Sequence, residues 1–325
     1  MIPESVARVA DDIKAMRVRG ASRIAKAAAE ALLLAAREYR GGSVEDFSRY
    51  MVSVGRLLVS TRPTAVSLPN AVRYVLAALR GGFSSVEEAR AAVEKRCEQL
   101  ASYIDRAVER IAEIGSGVLR SGDVVLTHCN SVAAVSVLVR AQQKGRAVRV
   151  YATETRPKFQ GLVTYRMLSE AGVDVTLIPD SAVRSVMREV DKVIVGADAV
   201  AANGAVVNKI GTSLIALAAS ERGVDFYVAA ETYKFSPYTV VGELVVIEER
   251  SPSEVVEESF IRAHPRLAVR NPSFDVTAPE YITAIITEVG LIPPTAAAIV
   301  LEEVYGSGPV SGEPLLWSPE EDAAL

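Results

Sequence analysis

The stretch Asp123–Gly145, "DVVLTHCNSVAAVSVLVRAQQKG", decides the fold. It begins with a short β-branched and aliphatic run, passes through a polar segment that contains Cys129, and continues with a stretch of helical composition that ends at a glycine. A short apolar strand followed by a single helix is the unit from which parallel sheets are built, because the helix carries the chain back across the sheet. The stretch therefore predicts one β–α unit of an α/β domain.

Four further apolar runs follow it, separated by stretches of helical composition such as "GLVTYRMLSEAG" at 161–172. The runs are "VRVYAT" (148–153), "VDVTLIP" (173–179), "DKVIVGAD" (191–198) and "VDFYVAA" (224–230). Strands that are covered by helices on both faces read as continuous apolar runs of this kind. Residues 116–325 are therefore predicted to form a Rossmann-like, doubly wound parallel-sheet domain.

The first 115 residues have a different texture, which is helical throughout. The stretch "SRIAKAAAEALLLAAREYRGG" (22–42) is rich in Ala, Leu, Glu and Arg and ends at two glycines. In "SVEDFSRYMVSVGRLLVS" (43–60), acidic residues follow Ser43 in the first turn, and "SSVEEARAAVEKRCEQLASYIDRAVERIAEIGSGVL" (84–119) continues the pattern for many turns. Residues 1–115 are therefore predicted to form an N-terminal helical domain.

The composition excludes several classes of protein. The 325 residues are 50% hydrophobic and carry a net charge of -4, so nothing in the overall charge favours nucleic acid as a partner. The two cysteines lack CxxC spacing, which argues against a disulfide framework or structural zinc and for a reducing compartment. The first residues contain no apolar segment typical of a signal peptide or membrane anchor. We expect a soluble cytoplasmic protein that does not bind membranes.

The residues that follow the first predicted strand include the candidate nucleophile or base. Sites in doubly wound sheets lie beyond the carboxyl ends of the strands, and Cys129 follows "DVVLT" directly before a predicted helix. A thiol near a helix N-terminus lies close to free backbone N–H groups, which favours the thiolate. A small buried hydrophobic residue is the alternative interpretation. His128 is more typical of a packed, hydrogen-bonded side chain, and only His264 accompanies it, so no Ser-His-Asp triad is available.

The fourth predicted strand ends in the motif "GADAVAANGAVVNKIGTS". Asp198 is a candidate proton donor if burial raises its pKa, although an aspartate that caps a turn would look the same in sequence. Asn208 and Lys209 precede a helix, where backbone N–H groups and a cation suit a phosphate. The chain has neither GxGxxG after a strand nor GxxxxGK[ST], so the nucleotide fingerprints are absent.

Further cations lie in loops. Lys234 follows the fifth predicted strand in "AAETYKFSP", and "ATETRPKFQG" follows the second. In the helical half, Arg19 and Gly20 precede a helix for which Ser22 is a candidate cap, and Arg62 lies in a loop bounded by proline. Each arginine alone is more typical of a solvated surface than of an anion contact, although an arginine followed by glycine at a helix start suits an anion.

Taken together, six motifs resemble one superfamily over essentially the whole chain. They are, in order, "RGAS", "STRPT", "THCNS", "TETRPKFQG", "GADAVAANGAVVNKIGTS" and "ETYKFSP". The superfamily unites methylthioribose-1-phosphate isomerases, archaeal ribose-1,5-bisphosphate isomerases and the alpha, beta and delta regulatory subunits of the exchange factor for eukaryotic initiation factor two. With "STRPTAVSLPNA" and "AAETYKFSPYT", the chain looks most similar to the ribose-1,5-bisphosphate isomerases.

The resemblance implies a reaction. The isomerases use a cysteine after the first strand and the aspartate of "GAD", a pair that the regulatory subunits generally lack and that this chain has as Cys129 and Asp198. It implies conversion of α-D-ribose 1,5-bisphosphate to D-ribulose 1,5-bisphosphate in archaeal AMP degradation, with Cys129 as base, Asp198 as acid and a cis-enolate-type intermediate. A methylthioribose-1-phosphate isomerase and a non-catalytic regulatory subunit remain the alternatives, and proton abstraction is not separated from a hydride shift.

The resemblance also carries over residues that bind the phosphorylated pentose substrate. They are Arg19, Gly20, Ala21, Ser22, Arg62, Ser131, Asn208, Lys209 and Lys234. A second phosphate at C5 requires additional positive charge, which Arg19, Arg62 and Lys234 would supply. Family membership further implies a homodimer-based hexamer and activation by AMP. From the residues themselves we expect no cofactor and no metal cluster, because the chain has only two histidines, and a magnesium site built from carboxylates alone is the alternative that stays open.

Overall fold

The computed structural model describes residues 2–18, 20–62, 65–236, 239 and 245–305, so Arg19 lies outside the described residues. The chain divides into two compact units, one formed by Met1–Arg106 with Ile299–Leu325 and the other by Ala107–Ala298. The sequence predicted a boundary at residue 115. The division in the structure falls earlier, within one long helix that continues from the first unit into the second.

The first unit is helical in its described part. Its helices are α1 (Glu4–Lys14), α2 (Ala21–Glu38), α3 (Val44–Thr61), α4 (Ser67–Leu76) and the first two thirds of α5 (Val86–Ser116). Helix α3 begins as predicted, because the Ser43 hydroxyl accepts a hydrogen bond from the Asp46 N–H at 3.0 Å. Helix α2 ends before the predicted Gly41–Gly42 stop, since Tyr39 is already extended.

Alanines form the buried stripe of α2. Ala25, Ala28 and Ala36 are fully buried, together with Leu32. Small side chains let neighbouring helices approach closely, and α2 packs against both α1 and α4. Between α3 and α4 a cavity of about 160 Å³ remains. It is lined by apolar residues and by three arginines, Arg56, Arg73 and Arg80.

The second unit is built on a central sheet that contains seven strands among the described residues. These are β1 (Val124–Thr127), β2 (Arg149–Thr153), β3 (Asp174–Ile178), β4 (Lys192–Gly196), β7 (Asp225–Ala229), β9 (Ala284–Thr287) and β10 (Gly290–Ile292). Their order is β10-β9-β7-β4-β1-β2-β3, and every neighbouring pair is parallel except β9 and β10. The five predicted strands are therefore confirmed as neighbours in one sheet.

Six helices of the described residues alternate with or follow these strands. They are α6 (Val132–Gln143), α7 (Gly161–Glu170), the short α8 (Val183–Val186), α9 (Thr212–Arg222), α10 (Glu258–Ala263) and α11 (Ala297–Tyr305), which runs into the other unit. From β1 the chain first adds β2 and β3 on one side, and then returns to add β4, β7 and β9 on the other. This reversal confirms the doubly wound fold class. It also creates a switch point between β1 and β4, and doubly wound folds bind their ligands beyond the carboxyl ends of the strands at such a point.

The sequence missed a second, antiparallel sheet formed by β5 (Ala199–Val200), β6 (Val206–Lys209) and β8 (Phe274–Thr277). "VVNK" was interpreted only as the approach to a helix, whereas it forms β6, which pairs with β5 across a turn at Gly204. The strand β9 was also missed, although its run "AIIT" is fully buried and β-branched in the same way as the predicted strands. The second sheet follows β4 directly, so it lies beside the switch point.

Candidate active site

The segments that follow β1 and β4 emerge side by side. The two strands are parallel neighbours, with Leu126 opposite Val193. Gly196, the last residue of β4, packs against Ser131, and a Cβ at this glycine would lie 2.3 Å from Ser131 Oγ. Only glycine therefore fits at this position without a shift. Cys129 and Asp198, each two residues beyond its strand, follow the two strands that flank the switch point.

The backbone of Cys129 has an unusual conformation, with a φ of 65°. Left-handed backbone is uncommon for residues other than glycine. Both adjacent peptide groups are held: the Cys129 N–H donates to Thr155 Oγ1 at 2.9 Å, and its carbonyl accepts from Thr164 Oγ1 at 2.6 Å. The side-chain amide of Asn130 donates to the same Thr164 oxygen at 3.0 Å. Two threonine hydroxyls thus fix the peptide planes around the candidate catalytic cysteine.

Burial raises the pKa of the Cys129 thiol to about 11. The positive charge of Lys209 lowers it, the negative charge of Asp198 raises it, and a hydrogen bond from the Asn130 N–H lowers it. The expectation of a depressed pKa is therefore wrong for this structure. Helix α6 begins only at Val132, so the helix end lies some way beyond the thiol, and desolvation outweighs its effect. At neutral pH the group is a thiol.

His128 is a buried structural residue, as its sequence context suggested. Its Nε2 lies 2.9 Å from the carbonyl oxygen of Ile210, and its Nδ1 lies 2.6 Å from Thr153 Oγ1. Because a carbonyl only accepts, Nε2 carries the hydrogen and Nδ1 accepts from the threonine. Burial lowers the pKa of His128. The neutral imidazole therefore ties the segment after β1 to the segment before α9.

Three predicted binding residues lie in the same part of the second unit. Ser131 caps α6 by accepting from the Ala134 N–H at 3.3 Å. Asn208 is buried in β6, where its amide donates to Thr212 Oγ1 at 3.0 Å. Lys209 ends β6, and its ammonium lies 4.8 Å from the centre of the Phe274 ring. Since its charge also acts on Cys129, Lys209 is the cation that the structure associates with the thiol.

The N-terminus of α9, where the sequence suggested a phosphate, is filled by a carboxylate. Asp275 of β8 accepts from the Gly211 N–H at 2.8 Å, from the Ser213 N–H at 3.1 Å and from Ser213 Oγ at 2.8 Å. Burial raises the pKa of Asp275, while these hydrogen bonds lower it. Two of the N–H groups that were expected to bind a phosphate, those of Gly211 and Ser213, therefore already donate to the chain itself.

Lys234 is similarly engaged. It lies in the 3₁₀ turn Thr232–Lys234 after β7, and its ammonium forms an ion pair of 2.6 Å with Glu231. Both side chains are buried, at 4% exposure for Lys234 and 0% for Glu231. A buried pair of this kind neutralises the charge locally, so Lys234 offers a substrate less free positive charge than the sequence suggested.

The predicted residues of the helical unit lie at helix ends. Gly20, with a φ of 86°, is the residue before α2, and Ala21 begins the helix. Ser22 therefore lies within the first turn and is not the cap that the sequence suggested. Arg62 follows the last residue of α3 and is 9% exposed.

Two functional candidates were missed in the motif "TETRPKFQG" and its neighbourhood. Thr155 has a φ of 60°, and its N–H donates to Asp180 Oδ1 at 2.8 Å. The Arg156 N–H donates to the other carboxylate oxygen at 2.7 Å. Thr164, on α7, is fully buried. The sequence offers no local signal for these roles, because each depends on a residue at least 24 positions away.

Two absences hold for the described residues. No group of three or more histidine, cysteine, aspartate or glutamate side chains within them could hold a metal ion. None of the helices in the described ranges is long and apolar enough to cross a membrane.

Comparison with known proteins identifies close relatives. The model of the initiation factor 2 subunit family matches residues 17–294. A ribose 1,5-bisphosphate isomerase from Archaeoglobus fulgidus is 50% identical over 95% of this chain and 96% of its own length. One from Methanocaldococcus jannaschii is 49% identical over 91% and 94%. A methylthioribose-1-phosphate isomerase from Acetivibrio thermocellus is 39% identical over 88% and 87%.

Solved structures share the fold. 5-Methylthioribose 1-phosphate isomerase from Pyrococcus horikoshii superposes with a TM-score of 0.77 at 35% identity, covering 92% of this chain and 88% of that one. A structure from A. fulgidus described as the delta subunit of translation initiation factor eIF-2B gives 0.72 at 40% identity, covering 92% and 90%. Enzymes and initiation-factor subunits thus share one architecture.

Proposed function

The chain belongs to the initiation factor 2 subunit family, and from this premise we propose that it is an isomerase that converts α-D-ribose 1,5-bisphosphate to D-ribulose 1,5-bisphosphate. The observation that carries the proposal is the pairing of Cys129 and Asp198 behind neighbouring strands of the switch point. One thiol and one carboxyl group at a crevice are the minimum set for an aldose–ketose isomerisation. The relatives that cover nearly the whole chain under this enzyme name support the assignment.

The substrate itself dictates two tasks. An aldose that carries phosphate on C1 has no free anomeric hydroxyl, so its ring cannot open by the ordinary route. The enzyme must protonate the ring oxygen and move a proton from C2 to C1. In the proposed mechanism Asp198 protonates the ring oxygen as the bond from C1 to that oxygen breaks, and the Cys129 thiolate removes the C2 proton, which leaves a cis-enolate-type intermediate. The same thiol then returns the proton to C1 while the Asp198 carboxylate accepts the proton of the C2 hydroxyl, which gives the ketose and restores both groups.

The resting state of Cys129 is the reverse of the one that the reaction needs. With a pKa raised to about 11, Cys129 is a thiol at neutral pH, whereas a base at C2 must be a thiolate. Transfer of the thiol proton to the Asp198 carboxylate would generate thiolate and carboxylic acid together without changing the net charge of the pair. The positive charge of Lys209, which lowers the pKa of Cys129, favours this transfer.

The other residues carried over from the resemblance remain proposals for substrate binding. They are Arg19, Gly20, Ala21, Ser22, Arg62, Ser131, Asn208, Lys209 and Lys234. Lys209 is the strongest of them on physical grounds, because its charge already acts on the thiol. Lys234 would have to share its charge between Glu231 and a phosphate.

Two alternatives differ in class. Methylthioribose-1-phosphate isomerase, named for one relative at 39% identity, would use the same C1 chemistry with an apolar group at C5. A non-catalytic regulatory subunit is suggested by the name given to the A. fulgidus structure at 40% identity. The presence of both Cys129 and Asp198 favours an enzyme over a regulatory subunit.

The deciding experiment incubates the purified protein separately with α-ribose 1,5-bisphosphate and with methylthioribose 1-phosphate, and follows ketose formation by NMR. We expect turnover of the bisphosphate only. Turnover of the methylthio sugar alone would move the chain to the other isomerase, and turnover of neither would leave the regulatory subunit. Running the reaction in D₂O separates the two mechanisms, because exchange at C1 requires proton abstraction and a hydride shift incorporates no solvent deuterium.

We further propose that the enzyme acts in the cytoplasm in AMP degradation, assembles as a homodimer-based hexamer and is activated by AMP. The resemblance supports the pathway, the assembly and the activation, whereas the cytoplasmic location is supported by the composition of the chain. Light scattering on the purified protein tests the assembly, and a monomer at micromolar concentration would contradict it. The same turnover assay with and without AMP tests activation, and equal rates at all substrate concentrations would remove it.

A further inference from the structure

Cys129 and Thr155, neither of them glycine, both have left-handed backbone, and a hydrogen bond joins them. Cys129 has a φ of 65° and Thr155 a φ of 60°. A β-branched residue such as threonine is a genuine outlier in this region. Strained backbone of this kind persists only where the surroundings enforce it, and it concentrates at functional sites. Two such residues in contact therefore indicate that their surroundings hold this part of the backbone in place.

Each strained residue is fixed by its neighbours. Asp180 accepts the Thr155 N–H at 2.8 Å and the Arg156 N–H at 2.7 Å, so the carboxylate holds the turn after β2. The Thr155 hydroxyl in turn accepts the Cys129 N–H at 2.9 Å. On the opposite side of the cysteine, Thr164 donates to its carbonyl at 2.6 Å. Both threonines are fully buried, so water cannot replace these bonds.

The hydrogen bonds of this cluster can run in a single direction. The Cys129 N–H donates to Thr155 Oγ1, which lies 3.2 Å from Thr153 Oγ1. Thr153 donates to His128 Nδ1 at 2.6 Å, and His128 Nε2 donates to the Ile210 carbonyl at 2.9 Å. The Thr155 hydroxyl donates either to Thr153 Oγ1 or to the Thr153 carbonyl oxygen, which lies 3.3 Å away. Each hydroxyl thus both accepts and donates, and a buried network that is fully satisfied is rigid.

A glycine at the start of α7 lets the helix that carries Thr164 lie close to Cys129. Helix α7 begins at Gly161, where a Cβ would lie 1.7 Å from the Thr153 carbonyl oxygen. Any other residue would push α7 away from β2. The close approach lets Thr164, one turn later, reach the carbonyl of Cys129.

We propose that Thr155 and Thr164 are positioning residues, which hold the Cys129 backbone in its left-handed conformation and thereby fix the direction of its thiol. The proposal rests on the proposed role of Cys129 as the base at C2. A base must lie within hydrogen-bond reach of the proton that it removes, and small displacements of a reacting group cost large factors in rate. A left-handed cysteine points its side chain in a direction that an extended or helical one does not.

The test compares Thr155→Val, which keeps the shape and removes the hydroxyl, with Thr155→Ser, which keeps the hydroxyl. We expect the valine variant to lose about tenfold or more in kcat with little change in KM, and the serine variant to stay near the wild-type kcat. Thr277→Val is the matched control, since Thr277 is also fully buried and its hydroxyl has no hydrogen-bond partner among the described residues. Wild-type kcat in a folded Thr155→Val protein would overturn the proposal, as would equal losses in the valine and serine variants.

Thr164→Val and Thr164→Ser provide the same comparison from the other side of the cysteine, should Thr155→Val fail to fold. A second measurement needs no turnover: the rate at which iodoacetamide alkylates Cys129, in a Cys97→Ala background. We expect faster alkylation in both valine variants, because a released backbone frees the thiol, and an unchanged rate in Thr277→Val. Rates equal to that of the wild type in both valine variants would overturn the positioning role. Absence of turnover in the wild type would instead count against the proposed function alone.

Discussion

Helices α6 and α9 both begin beside the switch point after a segment of small and polar residues, yet their N-termini are used differently. At α6 a neutral hydroxyl, that of Ser131, accepts one N–H, and Cys129 lies just before it. At α9 a full carboxylate, that of Asp275, accepts two backbone N–H groups and the Ser213 hydroxyl. The α9 end therefore already holds a negative charge.

The difference shows that the role of a helix N-terminus depends on which acceptor the rest of the fold places beside its N–H groups. A free end attracts anions, but an end neutralised by the chain serves stability. In this chain the motif "NKIGTS" suggested a phosphate site, and strand β8 supplies the anion instead. Lys209, which precedes α9, then acts on the thiol before α6.

The largest effect is expected when the cysteine that precedes α6 is replaced. We expect Cys129→Ser to reduce kcat by about a thousandfold or more, because a hydroxyl is a far weaker base than a thiolate and positioned general bases contribute factors of this size. Steady-state turnover of ribose 1,5-bisphosphate measures the effect. Cys97→Ser, at a buried position of α5, is the control and should retain the wild-type kcat. A loss below tenfold in Cys129→Ser would remove the thiol from the mechanism.

The pH dependence of alkylation at Cys129 tests whether the N-terminus of α6 lowers the pKa of the thiol. Burial raises the pKa of Cys129 from about 9 to about 11, so the reactive thiolate becomes more abundant as pH rises towards that value. We expect the alkylation rate at Cys129 to increase about tenfold per pH unit from pH 7 to 10 without a plateau. Lys209→Met should slow it further, since loss of the positive charge raises the pKa of the thiol. A plateau near pH 8.5 would contradict the burial effect.

Two alternative substitutions remove the carboxylate at α9. Asp275→Ala should lower the free energy of unfolding by about 2 kcal/mol, because two backbone N–H groups and a hydroxyl lose their acceptor. Asp275→Asn should cost less than half as much, since it keeps one acceptor oxygen and removes a negative charge whose burial is unfavourable, as the raised pKa of Asp275 indicates. Urea unfolding measures both, with the exposed Asp174→Ala as control. An unchanged stability in Asp275→Ala would show that the cap contributes nothing.

The smallest effect is expected at the neutral cap. Ser131→Ala should lower the free energy of unfolding by about 1 kcal/mol, the usual cost of removing a single hydroxyl cap. Ser43→Ala removes the equivalent cap of α3 in the helical unit and should cost about the same without changing kcat. The two variants can be compared in one urea series. A cost at Ser131 well above that at Ser43 would indicate a role for Ser131 beyond capping.

Much of the architecture could be predicted from the sequence because its signals are local. The five apolar runs, the helical first third and the Ser43 cap each depend on residues close together in the chain, and the structure confirms them. Since sites in such sheets follow the strands, the motifs also directed attention to Cys129 and Asp198.

The finer features depend on residues distant in the chain and could not be predicted. Asp275 caps a helix that begins more than sixty residues earlier, and Thr155 and Thr164 reach Cys129 across 26 and 35 positions. The raised pKa of Cys129 follows from burial, which the local sequence does not encode. Strand β9 is a different case, because its β-branched run was available in the sequence and was overlooked.

The contact between Ser131 and Gly196 limits which substitutions can occur at these two positions. Ser131 Oγ occupies the space that a Cβ at position 196 would need, so neither site can change freely while the other stays the same. A side chain at 196 becomes possible only after residue 131 has become glycine, which would remove the cap of α6. The route to a larger side chain beside the switch point therefore passes through a less stable intermediate. Such pairs should change together in evolution or remain fixed.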